Sequence, residues 1–227
     1  MVATASVPRV RFVRVRRGGS ERRLVHLDPE TRDRYLRLVA RSAGAVEASL
    51  SDSVVANRVR SWRVEPPELR LRPWRAERRI FAARLVSLAR RADAIAFADV
   101  RRCFASMPAD RVGHALRGLG ADAADDIERL LRALQDEGVR GLPIGPDPSA
   151  VLANAVLASV DAAVAGAGIR HLRWVDDVVM ATDDPQAALD VVRSALRSIG
   201  MRLNERKTCI VLDPRSILWG GHPSPSR

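Results

Sequence analysis

The stretch that decides the fold is LRWVDDVVMA, residues 172–181. Two short apolar runs flank a pair of acids, which predicts two strands joined at Asp176 and Asp177. Adjacent acids are costly between β-forming residues, because two like charges about 4 Å apart repel by about 4 kcal/mol at an effective dielectric of about 20. A divalent cation would remove that cost. The alternative is an exposed turn in which water solvates both carboxylates.

A third acid, Asp99, ends a separate apolar run, which predicts a strand from Ala94 to Val100. Carboxylates at the ends of neighbouring strands suit two divalent ions about 3.5–4 Å apart. Hard oxygen ligands of this kind favour Mg²⁺. For Asp99 by itself, capping of a strand end is the alternative.

Helices and strands alternate along the chain, but the acid pair lies in a hairpin. The pattern therefore predicts an α+β fold with an antiparallel sheet and not a doubly wound parallel sheet. Gly18-Gly19 divides two runs of alternating basic and apolar residues, which is typical of a second, basic hairpin. The predicted elements are that hairpin at 10–15 and 23–27, strands at 94–100, 172–175, 178–181 and 209–212, and helices at about 29–48, 76–91, 108 onward, 122–137, 148–165 and 185–199.

The composition indicates a folded and basic domain. The chain has 227 residues, of which 47% are apolar, enough for one large domain or two closely packed subdomains. Its 38 Lys and Arg against 27 Asp and Glu give a net charge of +11, and such a surface favours nucleic-acid phosphates. The alternative is an arginine-rich background with no binding role. Lys207 stands out because it is the only lysine.

Several other classes of protein and site are disfavoured. Cys103 and Cys209 have no CxxC spacing and no histidine cluster nearby, so we expect reduced thiols and neither a disulfide framework nor a zinc site. No stretch approaches the roughly 20 uncharged apolar residues of a membrane span, and the arginine-rich N-terminus lacks the apolar block of a signal peptide. A cytoplasmic location and no membrane partner are therefore expected.

Four segments, in order and at suitable spacing, resemble motifs A to D of reverse transcriptases. They are ADVRRCFASM at 98–107, GLPIGP at 141–146 with Ser149 and Leu152-Ala153-Asn154 after it, WVDD at 174–177, and GMRLN at 200–204 followed by Lys207-Thr208. The resemblance extends from about residue 9 to 221, and it is clearest from 94 to 212.

This resemblance implies a right-hand polymerase fold of fingers and palm, with an antiparallel palm sheet, flanking helices and a missing or minimal thumb. It implies a fingers-like basic portion at residues 1–93, a palm at 94–221 and a disordered tail at 222–227. Leu218-Trp219-Gly220-Gly221 faintly resembles motif E, the primer grip. Little chain remains for a thumb, so we expect a weak grip on nucleic acid and a need for a homo-oligomer, a partner protein or a noncoding RNA.

The resemblance also implies catalytic roles. Asp99, Asp176 and Asp177 are the implied ligands of two Mg²⁺ ions, with Mn²⁺ as an alternative, and Val100 is implied as a metal-binding residue beside them. Lys207 is the implied general acid, because an ammonium can give a proton to the leaving pyrophosphate whereas a guanidinium practically cannot. A surface lysine left by chance is the alternative.

The implied substrate-binding residues are Arg22, Val100, Phe104, Pro143 and Gly145. Phe104 matches an aromatic gate that would collide with a ribose 2′-hydroxyl and so favour deoxynucleotides, and core packing is its alternative. The glycines between 141 and 145 would let the backbone approach the nucleotide closely. Arg22 matches a fingers arginine that contacts the triphosphate, with Arg14, Arg16 and Arg23 as competitors.

Two residues differ from those usual in these motifs. Ile144 stands where many retroviral-type enzymes place glutamine, and Trp174 stands where tyrosine or phenylalanine is usual. The GLPIGP form resembles bacterial abortive-infection and other defence-associated reverse transcriptases, which suggests a role in phage defence by analogy alone.

The implied function is synthesis of DNA from dNTPs on an RNA template by a two-metal mechanism, which makes this chain an RNA-directed DNA polymerase. Three rivals remain. A catalytically silent, RNA-binding protein with a polymerase fold is the first, and an RNA-templated RNA polymerase, disfavoured by Phe104 only, is the second. A cyclic-dinucleotide synthase is the third, but its Gly-Gly-acid-acid-Phe turn is missing from the sequence.

Overall fold

The structure, a computed structural model, describes residues 8–17 and 20–214. Two small hairpins lie on either side of the first helix. Strands β1 (Val10–Arg17) and β2 (Ser20–Leu27) pair antiparallel, as their alternating residues predict, and the Gly18-Gly19 turn between them lies outside the described residues. Helix α1 (Pro29–Ser49) begins where predicted, because the Asp28 carboxylate accepts a hydrogen bond from the backbone amide of Thr31.

The second hairpin was not predicted from the sequence. Strands β3 (Val59–Arg63) and β4 (Glu68–Leu71) are short, and most of β3 is exposed, so they lack the apolar alternation of a longer strand. Pro66 and Pro67 lie in the turn between them, where neither removes a ladder hydrogen bond. Helix α2 (Trp74–Ala89) follows, about as predicted.

The main sheet has four antiparallel strands in the order β6-β7-β5-β8. They are β5 (Ala94–Asp99), β6 (Arg170–Trp174), β7 (Asp177–Thr182) and β8 (Cys209–Val211). All four agree with the predicted strands to within a few residues. The predicted α+β class with an antiparallel sheet is confirmed.

Helices cover both faces of this sheet. On one face, α5 (Asp147–Gly166) and α6 (Pro185–Ser198) pack on the sheet, and on the other lies α2. Helix α3 (Ala109–Gly118) packs on α5, and α4 (Ala124–Asp136) packs on α3 and α1. The protein has a larger and a smaller hydrophobic core, and alternate residues of β5 pack in each. Ala96 and Ala98 pack in the larger core, whereas Ile95 and Phe97 pack with Phe81 of α2 in the smaller core. This explains why β5 is a continuous apolar run that is buried along its whole length.

The larger core crosses the predicted boundary at residue 93. Tyr35 and Val39 of α1 are fully buried in the same cluster as Leu152 of α5, and the Tyr35 hydroxyl lies 3.0 Å from the Ser149 hydroxyl. The fingers-like portion at 1–93 and the palm at 94–221 therefore pack on one core, and their division stays a prediction. The tail at 222–227 and the motif E segment at 218–221 lie outside the described residues.

Helix α5 corrects one expectation from the sequence. It is long and apolar enough to cross a membrane by length and composition alone, although no such stretch was expected. Within the fold, 61% of its most apolar window is buried, since α1, α3 and α6 pack around it. A central core helix satisfies the same criterion, because it too is apolar on every side.

Candidate active site

The sheet brings the three predicted aspartates to one end. The register of β5 against β7 places Asp99 directly opposite Asp177. Asp176 precedes β7, and its carbonyl accepts a 3.1 Å hydrogen bond from the Val100 amide. The Asp99 carbonyl in turn accepts a 2.8 Å hydrogen bond from the Asn204 amide, which ties the predicted motif D loop to the same corner. Motifs A, C and D therefore meet at this end of the sheet.

The aspartates are close enough to affect each other's ionisation. Burial, followed by the negative charges of Asp176 and Asp99, raises the pKa of Asp177 to about 7. Burial and the charge of Asp99 likewise raise the pKa of Asp176. Nearby positive charges, those of Lys207 on both and of Arg22 on Asp176, oppose the rise only partly. The site thus carries more negative charge than its own side chains neutralise.

Lys207 forms an ion pair with Asp99. Its ammonium lies 3.5 Å from Asp99 Oδ2, and its side chain is 41% exposed, whereas that of Asp99 is 10% exposed. The ammonium is therefore both next to the carboxylates and open to solvent.

The carboxylates are not arranged as a finished metal centre. Within residues 8–17 and 20–214, no three Asp, Glu, His or Cys side chains are gathered closely enough to hold an ion. The chemical character of the group nevertheless suits a divalent cation, since it offers carboxylate oxygens with an uncompensated negative charge.

Val100 can contribute to such a site through its backbone alone, because its side chain is 1% exposed and packs in the larger core. Its antiparallel bridge to Leu203 uses the amide of Arg101 and the carbonyl of Asp99. The bridge therefore leaves the Val100 carbonyl out of that pair of hydrogen bonds.

The motif B loop is attached to both neighbouring segments. The Leu142 amide donates a 2.9 Å hydrogen bond to the Phe104 carbonyl, and Gly141 has a φ of +64° and no room for a Cβ, which would lie 2.2 Å from that oxygen. On the other side, the Val25 amide of β2 donates a 2.8 Å hydrogen bond to the Ile144 carbonyl. The loop with Pro143 and Gly145 thus bridges motif A, which carries the half-buried Phe104, and the N-terminal hairpin.

The hairpin distinguishes Arg22 from its three competitors. Cross-strand pairing places Arg22 opposite Val15 on one face, and Arg23 opposite Arg14 on the other face. The Arg23 guanidinium lies 3.3 Å from the centre of the Phe12 ring, and Arg14 pairs with Glu21. The charge of Arg22 lowers the pKa of Asp176, which places this guanidinium near the carboxylates.

Two arginines at the site were not predicted from the sequence. Arg78 of α2 lies 5.2 Å from the centre of the Trp174 ring, and its charge lowers the pKa of Asp177. Arg173, next to Trp174, is completely buried and binds Asp161. The Arg-Trp-x-Asp-Asp spacing could have drawn attention to Arg173, but no pattern in α2 distinguishes Arg78 from its arginine neighbours.

Cys103 and Cys209 are both free thiols, as predicted. Cys103 is buried below the site, and burial together with the charge of Asp176 raises its pKa. A nucleophilic role for this thiol is therefore disfavoured.

Comparison with known families gives one match. The family model described as "Reverse transcriptase (RNA-dependent DNA polymerase)" matches residues 50–223, well over half of the chain. The chain belongs to the reverse transcriptase family. A comparison with individual curated proteins finds no match. The matched range in this reverse transcriptase contains all four motifs, Asp99, Asp176, Asp177 and Lys207, whereas the hairpin with Arg22 and all of α1 precede it.

Proposed function

We propose that this reverse transcriptase is an active, RNA-directed DNA polymerase that adds dNTPs to a primer on an RNA template. The observation that carries the proposal is the register that sets Asp99 opposite Asp177 beside Asp176, in a chain of this family. Family membership supports nucleotidyl transfer in general. The fingers-and-palm assignment, the two-metal mechanism and the roles below are our proposals.

Asp99, Asp176, Asp177 and the Val100 carbonyl would hold two Mg²⁺ ions, with Mn²⁺ as an alternative. The pKa values of Asp176 and Asp177 are raised by burial and by neighbouring negative charge, which a cation would offset. The side chains would have to rotate towards a shared point. Bound ions would activate the primer 3′-hydroxyl and neutralise the charge on the pyrophosphate.

Lys207 would act as the general acid. In the reaction, the 3′-hydroxyl gives its proton to solvent, the 3′-oxygen bonds to the α-phosphorus and the bond to pyrophosphate breaks, so the leaving oxygen needs a proton. The ammonium 3.5 Å from Asp99 is partly exposed on the side where solvent or substrate can reach it. Its proton would pass to the pyrophosphate, and solvent would restore it.

Phe104, Pro143, Gly145 and Arg22 would form the nucleotide pocket. Phe104 is held through its carbonyl by the motif B loop, which supports a fixed position for an aromatic gate against the 2′-hydroxyl. The hydrogen bond between Val25 and Ile144 connects this loop to the strand of Arg22, whose guanidinium would bind the triphosphate.

The wider biological role rests on analogy. We propose a cytoplasmic enzyme in phage defence, on the GLPIGP resemblance, with an RNA template, a DNA product and a noncoding RNA, partner protein or second copy as its partner. A catalytically silent, RNA-binding protein is the second candidate. The absence of a gathered three-carboxylate cluster among the described residues favours it.

One assay separates these functions. The purified chain is given a primed RNA template, Mg²⁺ and either labelled dNTPs or labelled rNTPs, with Asp176→Ala as the matched control. We expect primer extension with dNTPs that Asp176→Ala abolishes. Extension with rNTPs would indicate an RNA polymerase, and RNA binding without extension under either condition would refute an active enzyme.

A further inference from the structure

The turn that carries Asp176 and Asp177 contains an unfavourable backbone conformation. Val175 has a φ of +58°, which lies in the left-handed region. A β-branched residue is a marked outlier there, because its branched Cβ crowds the backbone. Surrounding contacts must therefore hold this residue in place.

Arg173 supplies a direct contact of this kind. Its Nη1 donates a 2.9 Å hydrogen bond to the Val175 carbonyl and another 2.9 Å hydrogen bond to Asn154 Oδ1. Its Nε and Nη2 donate to the Asp161 carboxylate at 2.8–3.0 Å. The guanidinium thus joins the turn to two residues of α5, and none of the Arg173 side chain is exposed.

The two α5 residues that bind Arg173, Asp161 and Asn154, have further partners. Asp161 also faces His171, whose Nε2 lies 3.6 Å from Asp161 Oδ1 and 3.0 Å from the Ser53 hydroxyl. Although burial opposes it, the charge of Arg173 lowers the pKa of Asp161, so the carboxylate stays ionised. Asn154 donates to the Ala56 carbonyl at 3.1 Å, which ties the network to the loop after α1.

From these contacts we infer that Arg173 is a positioning residue: through the Val175 carbonyl it holds the turn in the conformation that presents Asp176 and Asp177 to metal and substrate. The expected effect on DNA synthesis rests on the proposed function, whereas the expected effect on the position of the turn does not. The Val100 amide is a probe of the position of the turn, because it donates a 3.1 Å hydrogen bond to the Asp176 carbonyl. A displaced turn weakens this bond whether or not the chain makes DNA.

Two variants remove the contact in different ways. Arg173→Lys keeps the positive charge but cannot reach Asp161, Asn154 and Val175 together. The pair Asp161→Leu with Arg173→Met replaces a buried ion pair by apolar side chains, a change that proteins often tolerate without loss of stability. Leu131→Ala, a fully buried change in α4, is the matched control for a general loss of stability.

The readouts are hydrogen exchange at the Val100 amide relative to that of Ile95 in the preceding strand β5, Mn²⁺ binding, and primer extension. For Arg173→Lys and for the pair variant we expect faster exchange at Val100 than at Ile95. We also expect Mn²⁺ binding and extension to weaken by about 10–100-fold, the usual effect of removing a residue that orients metal ligands. Leu131→Ala should accelerate both amides together and leave Mn²⁺ affinity unchanged. Adding Val175→Gly to Arg173→Lys should restore part of the loss, because glycine adopts a positive φ readily.

The inference is overturned if the folded pair variant exchanges at Val100 and binds Mn²⁺ like the wild type, or if Val175→Gly restores nothing. A wild-type chain that makes no DNA while the Val100 exchange differs as expected would instead refute the proposed polymerase and leave the positioning role standing.

Discussion

Asp177→Asn should stabilise the metal-free protein while it abolishes DNA synthesis. Burial and two neighbouring carboxylates raise the pKa of Asp177 from its ordinary 3.8 to about 7, which corresponds to about 4 kcal/mol of unfavourable free energy for the ionised form. Asp177 is partly exposed, and solvent screens part of this cost, so we expect Asp177→Asn to raise the free energy of unfolding by about 2 kcal/mol. For a chain of this size, that raises Tm by about 4–8 °C.

The pH dependence follows from the direction of the shift. A carboxyl group whose pKa is higher in the folded state binds protons more readily there than in the unfolded state. Its ionisation therefore costs stability as the pH rises from about 4 to about 7. The gain from Asp177→Asn should be absent below about pH 4 and complete above about pH 7.

Thermal unfolding in EDTA across this pH range, followed by circular dichroism, measures the difference between variant and wild type. Mg²⁺ should then stabilise the wild type more than Asp177→Asn. Equal stability of the two proteins at about pH 8 in EDTA would refute the charge repulsion at this corner of the sheet.

Three further substitutions test the loops around the site. Gly141→Ala should destabilise the fold by more than about 2 kcal/mol in urea unfolding, since its Cβ would overlap the Phe104 carbonyl. Gly168→Ala, with a similar φ of +73° and open space, should cost only about 1 kcal/mol, and equal losses would contradict the steric explanation. Phe104→Ala should increase rNTP incorporation by about tenfold or more relative to dNTP incorporation in a competition assay, and an unchanged ratio would assign Phe104 to packing. Lys207→Arg should slow single-turnover nucleotide addition by about 10²-fold without weakening RNA binding, and an unchanged rate would remove the general-acid role.

Much of the fold could be predicted from local sequence patterns. The strands that carry Asp99 and Asp177 are short apolar runs bounded by acids, and the antiparallel pairing of β6 with β7 follows from the hairpin at the acid pair. The α1 terminus followed from Asp28 and Pro29. The β3–β4 hairpin could not be predicted in this way, because its exposed residues carry no apolar alternation.

The supporting arginines of the candidate site could not be predicted, because their roles depend on distant partners. One lysine among 38 basic residues leaves 37 arginines, and nothing local indicates that Arg173 is the one without solvent exposure. Its partner Asp161 lies in an alanine-rich helix twelve residues earlier, and Asn154 is nineteen residues away. Arg78 reaches the site only because α2 packs across the back of β6.

The backbone hydrogen bond between Val25 and Ile144 connects the N-terminal hairpin directly to the motif B loop. A triphosphate bound by Arg22 on that strand would therefore displace the loop that we propose to contact the base and sugar. If the proposed polymerase activity holds, such a linkage would couple recognition of the charge of an arriving nucleotide to recognition of its shape.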